Sequence, residues 1–139
     1  MASKHAGVGG SNIHRKIGCP GSHALEAAIP DDESKFAGEG TDLHNVMEDW
    51  VRTDEPPELG LHAGPYIPAL NEEQLDVLQW CFDIVDLLIG DSDFKLEEYN
   101  DFPGLEDAGG TCDVVIFNAD GSYSLVDYKF GRGVPVSAE

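Results

Sequence analysis

The chain predicts an α+β fold, with helices packed on a small mixed sheet, and three observations point there. Apolar residues recur with helical period over two long stretches of the first two-thirds. The last third changes to short runs of strand type joined by an Asp-Gly turn signal. The order is helix, helix, strand, strand, strand, and such segregation suits helices laid on one face of a sheet rather than a parallel α/β winding.

Residues 1–18 read as a flexible N-terminal lead-in, its first eleven residues rich in glycine and small side chains, and residues 19–139 as one domain. "CPGSHALEAAIP" holds a short helix from Ser22 that stops before Pro30. A long helix is expected from about Ser34 to Arg52. Leu43, Val46, Met47, Trp50 and Val51 form its core-facing stripe. Gly38 and Gly40 weaken its start, so regular helix could begin near Thr41 with that residue as cap. "TDEPPELGLHAGPYIP" is a loop by its proline and glycine content. Asn71 opens a second helix, where Asn71 and Gln74 have the spacing of a capping box. Leu75, Leu78, Phe82, Val85 and Ile89 line one face, and Gly90 is the stop. Trp50, Trp80 and Phe82 are expected in the core. "FKLEEYN", "GTCDVVIF" and "YSLVDYKF" are the strands, the last two joined through Asp120-Gly121 as a hairpin.

Composition bounds the function. The 139 residues are 41% hydrophobic, enough for a core, so composition does not predict disorder. No apolar stretch reaches the roughly 20 residues that span a bilayer, and the N-terminus lacks the apolar region of a secretory signal, so the expectation is no membrane partner and a cytoplasmic location. Cys19, Cys81 and Cys112 are odd in number and scattered, which argues for free thiols over a disulfide framework or a CxxC knuckle. Eight basic residues against 27 acidic ones give a net charge of −19. Such a charge repels a polyanion. It suits a metal-binding protein, a partner of a basic surface, or a mimic of the charge of DNA.

The most informative stretch is Gly110 to Val136, which sets Asp113 inside one apolar run and Asp127 and Lys129 inside the next. Charged groups are seldom buried unless paired or holding a metal. Strand alternation puts Asp127 and Lys129 on one face and Tyr128 on the other. Asp113 can lie opposite or diagonal to Asp127, depending on register. Two carboxylates so placed repel, and a divalent cation removes the penalty. His44 and Glu48, four apart, share one helical face. Lys129, Arg132 and the glycines of "KFGRG" could contact phosphate or could form an ordinary turn.

Asp113 followed by Asp127-Tyr128-Lys129 resembles the D…(D/E)xK core of the PD-(D/E)XK nuclease superfamily. "GTDLHNVME" is similar to the G-x-x-x-H-x-x-x-E helix of its RecB-like exonuclease branch, and the wider wording from Cys19 to Val136 is similar to phage-encoded members. The resemblance implies a metal-dependent DNA exonuclease that hydrolyses phosphodiesters with a metal-activated water, using Mg²⁺ or Mn²⁺, in the host cytoplasm if phage-encoded. It implies that Asp113 and Asp127 hold the metal with the Tyr128 carbonyl, that Glu48 binds it directly or through water, and that His44 is an additional ligand. Lys129 would position the attacking water, and Lys129 and Arg132 would contact DNA.

The sequence reaches Glu139 before the Gln-x-x-x-Tyr helix and further strand of that pattern. The expectation is therefore a C-terminally incomplete core, completed by another polypeptide or by a second copy at the open hairpin edge. The alternative is a catalytically inactive acidic binding protein, a DNA mimic that inhibits a nucleic-acid-binding partner.

Overall fold

The computed structural model describes residues 9, 13–26, 28 and 35–130. It is α+β. Two short helices, α1 (Ile13–Gly18) and α2 (Ser22–Glu26), precede two long ones, α3 (Lys35–Thr53) and α4 (Glu72–Ile89). Three strands follow: β1 (Asp93–Asp101), β2 (Gly109–Phe117) and β3 (Tyr123–Val126). The helical turn at 13–18 falls in the expected lead-in, most of which lies outside the described residues, as does Arg132. No helix among the described residues is long and apolar enough to cross a membrane.

All five stripe residues of α3 are buried, and Trp50 stacks on Phe82 of α4 with ring centroids 4.2 Å apart. That contact ties the two long helices together. Gly38 does not interrupt α3. The Tyr66 ring lies over it so closely that a Cβ there would come within 2.3 Å of a ring carbon. The glycine serves close packing, and Thr41, inside the helix, donates its hydroxyl to the Ala37 carbonyl instead of capping. The loop between the long helices folds back on itself, with the Leu70 N–H donating to Leu61 O and the Gly60 N–H to Leu70 O. Ile67 and Leu70 are carried into the core.

The capping box of α4 is complete: Asn71 Oδ1 accepts from the Gln74 N–H, and Gln74 Oε1 from the Asn71 N–H. Leu78 and Val85 are fully buried, with Leu75, Phe82 and Ile89 packed against the core. Trp80 departs from expectation. It is 67% exposed, on a face it shares with exposed Val77, Ile84 and Leu87. A helix with two apolar faces offers helical period no means of saying which one is buried.

β2 lies between β1 and β3 and is antiparallel to both, so the sheet is antiparallel where a mixed one was expected. Val114 and Ile116 point into the helical core with no exposed surface. The third strand is shorter than its sequence pattern: pairing ends at Val114 opposite Val126, and residues 127–130 continue without ladder hydrogen bonds.

Candidate metal centre

Asp113 sits where both neighbouring ladders open. Continuing the β2–β3 register by one residue beyond Val126 puts Asp127 opposite Asp113. On the other side, Leu96 pairs with Val114 and Glu98 with Cys112, which places Glu97 level with Asp113 in a gap of the β1–β2 ladder. Glu97 has a left-handed backbone, φ 51°. A non-glycine residue held there costs on the order of 1–3 kcal/mol and is found at functional sites more than elsewhere. Three carboxylates, those of Glu97 on β1, Asp113 on β2 and Asp127 just past the end of β3, therefore share one level of the sheet.

The helix α3 supplies the fourth group. His44, a quarter exposed and beside the core stripe, sets Nε2 2.9 Å from Asp113 Oδ1 and Nδ1 3.5 Å from Glu97 Oε1. The Tyr128 ring meets the imidazole edge-on, with centroids 5.4 Å apart. The other oxygen of Asp113 accepts the backbone N–H of Tyr128. These partners account for a carboxylate that is only 6% exposed in an apolar strand. The hydrogen bond to Asp113 raises the His44 pKa against burial, which lowers it, and the charges of Asp113, Glu97 and Asp127 act in the same direction as the bond. Glu97 is also pushed up, first by burial.

His44, Glu97 and Asp113 each offer a ligand atom, and these atoms lie within 4.8 Å of one another. This group could hold a metal ion. Its donor set is one imidazole nitrogen and carboxylate oxygens, which suits Mn²⁺ and related ions and suits Mg²⁺ less, since Mg²⁺ takes oxygen ligands. Two donors about 2.1 Å from one ion and at right angles are about 3 Å apart, the separation found between His44 Nε2 and Asp113 Oδ1.

Of the residues singled out from sequence, His44 and Asp113 come together directly, and Asp127 is close enough for its charge to bear on His44 and Glu97. Tyr128 is buried as alternation required, with Asp127 and Lys129 exposed on either side of it. Lys129 lies largely in solvent, its ammonium on the Asp127 carboxylate. Glu48 pairs with Arg52 one turn further along α3 and is not in the His44 group. Glu97 was missed. Its signal was arithmetic: once the two strands pair around residue 105, 97 stands across from 113. Cys81 and Cys112 are free and half-buried, and burial pushes both thiols up, so neither offers a ready thiolate to an ion.

The sequence signature of the family described as "Protein of unknown function (DUF2800)" matches residues 5–139, and the chain belongs to that family. No solved structure gives a significant match to it.

Proposed function

We propose that this chain carries the metal centre of a metal-dependent deoxyribonuclease, an exonuclease of the kind its PD-(D/E)XK-like motifs resemble. One observation carries the reading: a buried strand aspartate, Asp113, held by the helix residue His44 at 2.9 Å and level with Asp127 at the end of the hairpin. Carboxylates and imidazole gathered at an opening in the sheet suit a cation, and a phosphodiester is the substrate class for which such a cation is most useful. When bound, a divalent ion supplies Lewis acidity toward a phosphate oxygen and lowers the pKa of water.

The chain's own groups have distinct parts in this scheme. His44 and Asp113 bind the cation, and Asp127 adds charge from the next strand. The Tyr128 carbonyl would be a further donor, on a residue whose side chain is held in the core and whose N–H donates to Asp113. The Lys129 ammonium, now on Asp127, has a four-carbon stem long enough to swing onto an incoming phosphate and hold its charge. Glu48 stays with Arg52, one turn further along α3. DNA, and a polypeptide or second copy pairing with the sheet at β3, are the partners this reading takes.

The test is degradation of end-labelled duplex DNA with Mn²⁺ or Mg²⁺. Asp113→Ala and Lys129→Ala should each lower the rate by about 10²–10³-fold, the scale for removing one group that stabilises transition-state charge. Wild-type protein that never cuts DNA with either ion, alone or with a complementing polypeptide supplied, ends the enzyme reading. A second reading draws on the charge of −19 and the solvent-facing Lys129: a catalytically inactive acidic protein occupying a basic nucleic-acid-binding surface. Salt-sensitive inhibition of such a partner, retained by Asp113→Ala, would favour it.

A further inference from the structure

We infer that Glu97 is the positioning residue of this centre: it accepts the Nδ1 proton of His44 and so presents Nε2, beside Asp113, to a divalent ion. The inference rests on the metal-centre reading above and adds a role to a residue that the D…DxK pattern does not contain. An imidazole has two nitrogens, and a neutral ring binds a cation only through the one that carries no proton. Here the two nitrogens face different carboxylates. Nε2 is 2.9 Å from Asp113 Oδ1, the spacing of two adjacent ligands on one ion, while Nδ1 faces Glu97 Oε1 at 3.5 Å.

A proton left on Nδ1 has Glu97 to receive it, and Nε2 is then free to ligate. A carboxylate on the far nitrogen of a metal-binding histidine fixes both tautomer and ring orientation and makes the ring a stronger donor. The Tyr128 ring, edge-on to the imidazole, limits the rotation that would exchange the two nitrogens. The left-handed backbone of Glu97, in the ladder gap level with Asp113, brings its carboxylate to this place from an otherwise regular strand.

The experiment separates a positioning residue from a ligand by the conservative variant. Mn²⁺ affinity is measured by electron paramagnetic resonance on the full chain for wild type, Glu97→Gln and Glu97→Ala, with folding followed by circular dichroism. The glutamine carbonyl can still accept the Nδ1 proton, so Glu97→Gln should stay within about threefold of wild type. Glu97→Ala should lose about 10–100-fold, the range for outer-shell partners. Nitrogen NMR of the Zn²⁺-loaded chain, a diamagnetic stand-in, should show a protonated Nδ1 on His44 in wild type and Glu97→Gln and a weakened, exchanging one in Glu97→Ala. If Glu97→Gln loses as much as Glu97→Ala, Glu97 is itself a ligand and the positioning role is wrong. Equal affinity for all three proteins, or a protonated Nε2 in the loaded chain, also overturns it while leaving the centre standing. Wild-type protein that takes up neither ion overturns the centre itself, and the role of Glu97 with it.

Discussion

Asp42 and Asp113 are the two charged side chains buried among the described residues, 2% and 6% exposed, and they are satisfied in different ways. Asp42, on α3, turns one oxygen to the backbone N–H groups of Tyr66 and Ile67, at 2.8 and 2.7 Å. Both donors are neutral and fixed, and both belong to the loop between α3 and α4. The carboxylate pins that loop against the helix. Asp113 has one backbone N–H, an imidazole whose protonation can change, and two further carboxylates level with it. Burial is nearly the same at the two places, so burial does not mark a site. What separates them is whether the partners can be exchanged for a cation.

The comparison breaks most directly by removing each carboxylate in turn. On the metal-centre reading, Asp113→Ala should lower Mn²⁺ affinity by at least about 100-fold, since it would delete a ligand and not only its support. Its cost in stability should be small, about 1 kcal/mol, because the lost hydrogen bonds are offset by relief of repulsion from Glu97 and Asp127. Asp42→Ala should show the opposite profile. Two buried N–H groups lose their acceptor, at about 1–3 kcal/mol each, so the urea midpoint should fall by the equivalent of about 3 kcal/mol while Mn²⁺ affinity stays within about twofold. Matching losses in both variants would mean that the two carboxylates do the same structural work.

The two aspartates were not equally legible in the sequence. Asp113 stood out because it interrupts an apolar strand, and alternation from Val114 and Val126 carried the reader on to Asp127 and Tyr128. Asp42 gave no such signal: in "GEGTDLHNVMED" it is one acidic residue among several, and its partners lie 24 and 25 residues away. Elements set by neighbours a few residues apart were readable, as the Asn71–Gln74 box and the stripe of α3 show. Features set by distant contacts were not. Glu97 needed the strand register, the early end of β3 needed the tertiary opening at Asp113, and the exposure of Trp80 needed knowledge of which apolar face of α4 meets α3. Glu48 is the opposite case. Its Arg52 partner was visible at i+4, and the motif reading as a metal ligand stood in front of it.

Gly64 sharpens the contrast at somewhat smaller magnitude. A Cβ built there would lie 2.0 Å from Asp42 Oδ1, so the loop backbone rests directly on the carboxylate and cannot admit a methyl group without moving. Gly64→Ala should cost about 1–3 kcal/mol by overpacking, less than deleting Asp42, and should leave Mn²⁺ affinity alone. Loss of both stability and affinity would show that the pinned loop and the centre are coupled through α3, and the separation drawn between the two aspartates would have to be given up.

The smallest effect concerns pH in the metal-free protein. Asp42 is held by backbone N–H groups, which do not themselves titrate. Asp113 is held by His44, whose folded pKa lies above the ordinary imidazole value of about 6.5, chiefly through its bond to Asp113. The folded state then binds more protons than the unfolded chain across the interval between those two values, and stability must fall as pH rises there. The contribution of the protonated pair is complete below about 6.5 and lost as pH passes the folded value. Glu97, raised by burial, acts with the same sign from the ordinary carboxylate range upward. Urea midpoints from mildly acidic to mildly alkaline pH should therefore decline in wild type, by no more than about 1.4 kcal/mol per pH unit for one proton. His44→Asn should remove the histidine share of that decline and leave the share due to Glu97 in place. A wild-type profile already level through this window, or a slope that His44→Asn leaves unchanged, would mean that the imidazole does not hold Asp113 as a cation, and the exchangeable character assigned to that carboxylate would lose its physical basis.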